Sequence, residues 1–238
     1  AFAYLANQAG SGKTLLARLA LAPVFGPASV STFPPGEEER EKILTTYVIE
    51  GKSFVLFDNV KGHLSSGALE GFLTSHEKEG RVLGSSNLAK GPNLATIFVT
   101  GNQLSTSIDF KRRSLLCDLF CASEATERDF KKPITDSWPS NPETRARFLA
   151  ALWSLVNHWQ AQGCPRLEGK PLPSFETFSA IIGGLVTTAN FANPIAPPEN
   201  QMDEADQAWK LLLRALADQV PTGTTKDFTA DEAMKQAE

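Results

Sequence analysis

The chain has 238 residues, 42% of them hydrophobic and 21% charged, with 23 basic against 27 acidic side chains and a formal net charge of −4. Those values describe a globular polypeptide with room for one large domain or two small ones. They exclude an intrinsically disordered chain and a surface that grips nucleic acid all over, although a local basic loop or an inward basic lining of a ring remains compatible.

In chain order, the apolar run Phe2–Ala6 predicts a strand, Asn7-Gln-Ala-Gly-Ser-Gly-Lys13-Thr14 a glycine-rich loop, and Leu15 to Ala22 a helix. Strand, loop and a helix opening on Lys-Thr is the order that turns backbone N–H groups towards the phosphates of a nucleotide. Ala9, Gly10, Ser11 and Gly12 then line the phosphates of ATP. Lys13 reaches the β- and γ-phosphates, and Thr14 supplies a hydroxyl to Mg²⁺. The motif ordinarily opens on glycine where this chain has Asn7, a residue type that tolerates left-handed backbone. Pro23 and Gly26-Pro27 predict a turn, Ala28 to Phe33 a second strand stopped by Pro34-Pro35-Gly36, and Glu37 to Tyr47 a helix with an acidic first turn.

Phe54 to Phe57 is a continuous apolar run, the pattern of a parallel strand covered on both faces. Asp58 follows it, at the strand end where open α/β sheets bind ligands, and is expected to support the same Mg²⁺. Asn59 fills the place where many ATPases carry a glutamate, and a carboxamide accepts no proton as a general base. It either orients the attacking water, or the base comes from elsewhere, with Glu37, Glu38 and Glu39 as topological candidates. Beyond a loop histidine at His63 with no expected site role, Gly67 to Thr74 predicts a helix with Leu69, Phe72 and Leu73 inward. Arg81 to Gly84 predicts a short strand, and Ser85 to Asn93 a loop or hairpin with Lys90 near its tip, either a nucleic-acid contact or a solvated surface lysine.

Ala95 to Thr100 predicts the next buried strand, ended by Gly101-Asn102, which places the Asn102 amide between Asp58 and the γ-phosphate. Ser107 to Arg113 leads into a strand over Ser114 to Cys121. A guanidinium at Arg112 or Arg113 then faces away from the chain's own nucleotide and towards one held by a neighbouring copy. Arg128 is assigned to the same boundary. Cys117, Cys121 and Cys164 make no disulfide framework or zinc spacing and are expected to be buried thiols in a reducing, cytoplasmic compartment.

After Phe130 the composition turns to a proline-rich linker and then to helical periodicity. This divides the chain into a P-loop ATPase core at 1–135 and a helical lid and C-terminal region at 136–238. Pro142 to Gln160 predicts a helix with an apolar face of Phe148, Leu149, Leu152, Leu155, Val156 and Trp159. Pro173-Ser174 starts another, in which Gly183-Gly184 implies close helix packing, and further helices are expected at Met202–Leu216 and from Phe228. The longest apolar stretch, Phe178 to Ile195, is interrupted by Thr and Asn and predicts no membrane span. The chain starts without Met inside a strand and stops inside a helix, as expected of a piece excised from a longer protein.

The whole order resembles the AAA+-like helicase ATPases found beside or fused to primase domains in bacteriophages and other mobile elements. The likeness is carried by Asn7–Thr14, Phe57-Asp-Asn-Val60, Arg81-Val-Leu-Gly84, Thr100-Gly-Asn102, Ser107-Ile-Asp-Phe-Lys-Arg-Arg113 and Gly183-Gly184, over roughly residues 1 to 195. The resemblance implies an α/β, three-layer P-loop NTPase core with a mostly parallel sheet and a helical domain after it. It also implies ATP and Mg²⁺ as cofactors, single- or double-stranded DNA as partner, a homo-oligomer of usually six subunits in a ring, and a primase portion upstream. In that family Lys13 and Thr14 hold phosphate and magnesium, Asp58 supports the metal, the Asp58-Asn59 pair is familiar, Asn102 senses the γ-phosphate, and Arg112 or Arg113 acts on the next subunit. Two other readings stay open. A small-molecule kinase uses the same loop without needing Asn102 or Arg113, and a nucleotide-gated assembly protein hydrolyses ATP poorly because Asn59 replaces an acid.

Overall fold

The computed structural model describes residues 1–81, 88–122, 127–128, 134, 138, 141–169 and 171–195. Residues Ala1–Pro197 form one compact unit. Pro198–Glu238 form a second, which lies outside the described residues together with the two helices expected there.

Four parallel strands make the central sheet: β1 (Phe2–Ala6), β2 (Phe54–Val60), β6 (Thr96–Asn102) and β8 (Leu115–Leu119), in the order β2-β6-β1-β8. The continuous apolar runs are covered on both faces, as their composition predicts. Val55, Leu56 and Phe57 are buried, as are Ile97, Phe98 and Val99. Period-two alternation sends these residues to two separate cores. Ala3, Val55, Phe57, Ile97 and Val99 pack with Leu44 and Tyr47 of α2 (Glu37–Ile49) and with Leu69 and Phe72 of α3 (Gly67–Phe72). Tyr4, Leu56 and Phe98 pack on the other face with Ala17 and Leu21 of α1 (Lys13–Phe25). The chain is thus a mixed α/β fold with a parallel central sheet, helices on both of its faces and a helical region after it.

Several elements depart from expectation for local reasons. Helix α1 runs through Pro23 to Phe25, and its end is held by Gly26 N–H and by Arg145 Nε, both donating to Ala22 O at 2.9 and 3.0 Å. The strand expected at 28–33 is reduced to a single bridge, Ser31 to Phe57, in a short segment bounded by Pro27 and Pro34-Pro35.

The hairpin pairs β4 (Glu77–Arg81) with β5 (Leu88–Pro92) antiparallel, earlier than the strand expected at Arg81–Gly84, of which residues 82–84 lie outside the described residues. It carries no apolar alternation because its inner positions press backbone against α2. A Cβ on Gly80 would lie 2.6 Å from Thr45 Oγ1, and one on Gly91 3.0 Å from Val48 Cγ1. An ion pair from Lys78 to Glu41 fastens the same contact. Lys90 sits in mid-strand opposite Glu79 and pairs with Glu77 at 2.7 Å, not at the tip.

Two short strands, β3 (His63–Leu64) and β7 (Ser105–Thr106), pair beyond the main sheet, with His63 Nδ1 2.9 Å from Ser105 Oγ. The short helix α4 (Ile108–Lys111) is capped by Ser107. Helix α5 (Pro142–Ala161) begins at Pro142 as predicted, with Asn141 capping it, yet none of its residues is buried. Helix α6 (Glu176–Thr188) starts two residues later than expected, and its buried residues are Ser179, Gly183 and Gly184. The glycine pair does serve close packing, but against the irregular segment after α5 instead of a helix. A Cβ on Gly184 would meet Pro165 O at 2.1 Å, and one on Gly183 would meet Leu167 Cδ2 at 2.4 Å. The cysteines are free; Cys117 and Cys121 are half-buried and Cys164 is exposed, so the expectation of three buried thiols fails. Among the described residues no helix is long and apolar enough to cross a membrane.

Candidate functional site at the carboxyl edge of the sheet

The loop between β1 and α1 turns on two glycines with left-handed backbone, Gly10 at φ 69° and Gly12 at φ 87°. Both conformations are strained for any residue with a Cβ. Gly12 caps α1 without a side chain, so the helix's first N–H groups face the loop without a side-chain cap from that residue. Ala9, Gly10 and Gly12 are exposed, Ser11 and Thr14 half-buried, and Lys13 only 7% exposed.

Lys13 folds back over its own loop. Its Nζ donates to Ser11 Oγ at 2.9 Å, to Gln8 O at 3.4 Å, and to Asn102 Oδ1 at the end of β6. Burial lowers the pKa of this ammonium from its ordinary value, with the negative charges of Asp58 and Cys121 acting in the opposite direction. On the next strand but one, Asp58 Oδ1 accepts from Thr14 Oγ1 at 2.6 Å and from Thr100 Oγ1 at 2.6 Å. Lys13, Thr14, Asp58 and Asn102, expected to meet, do meet at one edge of the sheet.

A bulge explains how Asp58 is aimed. Between Phe57 and Val60 the pairing of β2 with β6 shifts by one, so that Asp58 and Asn59 together oppose Thr100. Asn59 takes the left-handed conformation, φ 55°, which Asn tolerates better than most residues. Thr100, 1% exposed, closes the irregularity: its hydroxyl accepts from Asn59 N–H at 2.9 Å while donating to Asp58. Thr100 escaped the sequence reading of site residues. The signal for it is a hydroxyl in an apolar strand, one residue before Gly101. A Cβ at Gly101 would lie 2.7 Å from Leu104 Cβ and 2.8 Å from Val60 O.

Asn7 is not left-handed, so that rationale for its place in the loop is replaced by another. Its amide makes a reciprocal pair with the backbone of Cys121, donating to the carbonyl at 2.9 Å and accepting from the N–H at 3.0 Å. Gln103 ties the same root from the other side, its N–H donating to Ala6 O at 2.8 Å and its Nε2 to Asn7 O at 3.2 Å. Arg128 does not lie with Arg112 and Arg113. Its guanidinium donates to Gly10 O of the loop at 2.9 Å and to Cys121 Sγ at 3.2 Å.

Arg112 and Arg113 precede β8, at the opposite edge of the parallel sheet. Arg112 is half-exposed and pairs with Asp109 at 2.6 Å, whereas Arg113 donates to Glu70 O at 2.9 Å. Two of the three acidic candidates in α2, Glu37 and Glu38, are otherwise engaged. Glu37 accepts from Ser66 Oγ and Ala68 N–H at the start of α3 and from Arg40; Glu38 pairs with Lys42. Burial raises the Glu37 pKa, but the hydrogen bonds from Ala68, Ser66 and Arg40 outweigh it and hold the carboxyl below its ordinary value. Asn59 is exposed beside Asp58.

Neither a protein-family model nor a curated protein matches the chain. Among solved structures, the apo C-terminal region of NrS-1 is similar over 99% of this chain and 53% of that one, at 14% identity and a TM-score of 0.44. A JCV helicase with a bound thiazolopyridinyl phenoxyphenyl acetamide is similar over 93% of this chain and 52% of that one, at 17% identity and a TM-score of 0.35. The chain spans about half the length of each, and both likenesses are remote.

Proposed function

We propose that the chain is an AAA+-like P-loop ATPase module of a DNA helicase or translocase, acting in replication of a phage or mobile element and hydrolysing ATP at boundaries between its own copies in a ring. The observation that carries this reading is the meeting of Lys13, Thr14, Asp58 and Asn102 at one edge of a parallel sheet. The strand order supports it: β6 lies between the strand that feeds the loop and the strand that ends in Asp58, which centres Asn102 over both.

In this reading the backbone N–H groups from Ala9 to Thr14 and the Lys13 ammonium bind the β- and γ-phosphates. The Thr14 hydroxyl and the Asp58 carboxylate, 2.6 Å apart, are the hard oxygen donors that suit Mg²⁺ beside a triphosphate. Magnesium bound there neutralises charge on the phosphate oxygens. Asn102, released from Lys13 as the ammonium turns to phosphate, presents its amide to the γ-phosphate. Thr100 keeps Asp58 oriented. Arg112, half-exposed and paired with Asp109 three residues before it, is the better placed of the two arginines to act on a neighbour's nucleotide. The hairpin β4–β5, inserted between the Asp58 and Asn102 strands, is the element we assign to DNA.

One observation favours a second reading, a nucleotide-gated assembly ATPase. Asn59 offers only a carboxamide beside Asp58, and Glu37 is occupied in capping α3. Phosphate release measured against protein concentration, with and without single-stranded DNA, decides between them. Turnover that rises with concentration and DNA and is lost in Lys13→Ala supports the motor. Nucleotide binding with negligible turnover throughout supports the assembly protein, and DNA-independent turnover that requires a small acceptor supports a kinase.

A further inference from the structure

The loop is tied to the chain after β8 at two points. Asn7, at its root, holds the Cys121 backbone through both amide atoms. Arg128 donates one guanidinium nitrogen to Cys121 Sγ and another to Gly10 O, in the middle of the loop. The four residues close a circuit, Asn7 to Cys121 to Arg128 to Gly10 and back along the loop.

We propose that this circuit is a brace that holds the phosphate loop in its anion-accepting shape before nucleotide arrives, with Asn7 and Arg128 as positioning residues. The proposal rests on the reading of residues 7–14 as a phosphate site. Two glycines at positive φ make the loop free to populate many shapes, and ordering it on binding would weaken affinity. In a trans peptide the carbonyl and the following N–H point opposite ways. Anchoring Gly10 O on Arg128 therefore commits the Ser11 N–H to the other side. The charged donor also polarises that peptide, strengthening its N–H as a donor to an anion. The brace accounts for the asparagine where glycine is usual: a side chain is needed at position 7 to reach Cys121.

The test uses the full chain, with MgADP as probe in calorimetric titration and amide exchange of residues 9–12 in the nucleotide-free protein. Arg128→Ala is expected to weaken MgADP about tenfold, the scale of one hydrogen bond to a charged group, and to speed exchange of the loop. Arg128→Lys recovers part of the affinity. Asn7→Gly weakens binding in the same direction, and the double variant loses little more than either alone because the two act through one brace. Unchanged affinity and exchange in Arg128→Ala, with Lys13→Ala abolishing binding, overturns the brace and leaves the phosphate site standing. Should Lys13→Ala bind MgADP normally, the phosphate-site reading falls. The exchange arm then still decides the brace, faster exchange in Arg128→Ala supporting it and unchanged exchange overturning it. Additive losses in the double variant overturn the claim of a single circuit.

Discussion

The two edges of the central sheet are built differently. At the carboxyl edge, hydroxyl, carboxylate, amide and ammonium groups from β2, β6, the loop and the start of α1 satisfy one another within hydrogen-bond distance. At the amino edge a cavity of about 180 Å³ is lined mostly by apolar groups, among them Phe2, Leu73 and Leu115 with Phe175 and Phe178; Arg113 also lines it and donates to Glu70 O. Arg112 stands outside that cavity, its side chain 49% exposed. A parallel sheet sends all its strand ends one way, so a group just before β8 cannot reach the loop after β1 in the same chain. Under the proposed function the contrast explains why activity should need two copies: one supplies the carboxyl edge, the next the arginine.

The largest effect that would sharpen this contrast is at the carboxyl edge. Lys13→Ala is expected to lower phosphate release at least about a hundredfold, since it removes the positive charge aimed at the phosphates. Arg112→Ala should lower turnover by a comparable or somewhat smaller factor while MgATP affinity stays the same. Mixing Arg112→Ala with Lys13→Ala copies should restore part of the activity, because some boundaries then pair an intact loop with an intact arginine. No recovery on mixing, with both proteins folded and assembled, would break the two-copy account.

Smaller effects probe how each edge is held. Gly101→Ala, whose Cβ would press on Leu104 and Val60 O, should cost about 2–3 kcal/mol in denaturant unfolding and reduce turnover more than affinity by displacing Asn102. Arg113→Ala should cost about 1–2 kcal/mol, because Glu70 O loses a charged donor, while Arg112→Ala costs no more than about 0.5 kcal/mol as an exposed pair. The smallest is acid sensitivity at Glu37. Its carboxyl titrates below the ordinary 4.5, so between the two values the unfolded chain binds more protons and stability rises with pH. Glu37→Gln should therefore flatten the fall in melting temperature as pH drops below 4.5. An unaltered acid limb would show that Glu37 does not cap α3 in solution.

How much was legible follows from the kind of signal each region carries. Apolar runs such as Phe54–Phe57 and Ala95–Thr100 reveal buried strands because solvent exclusion on two faces demands them, and Gly10, Gly12 and Lys13 reveal the loop because few residue types serve there. The hairpin β4–β5 was misplaced because its inner face is made by Lys78 and Gly80 against a helix, with no hydrophobic alternation to read. The contact of Arg128 with Gly10 was not legible because the residues between it and β8 give no sequence pattern that fixes where the chain returns. Asn7 was visible only as a departure, since its partner Cys121 is 114 residues away.

From its own order of residues, the chain determined the buried strands, the loop with its Lys-Thr pair, the Asp58 and Asn102 strand ends, and the start of α5 at Pro142, because these depend on local periodicity and on a few conformationally special side chains. Only the tertiary structure decided the bulge that aims Asp58 at Thr14, the hydroxyl of Thr100 that closes it, the brace from Asn7 and Arg128, and the glycine pair's backbone partner. Each of those is a contact between strand ends or segments far apart in the chain, set by sheet register and hydrogen-bond satisfaction.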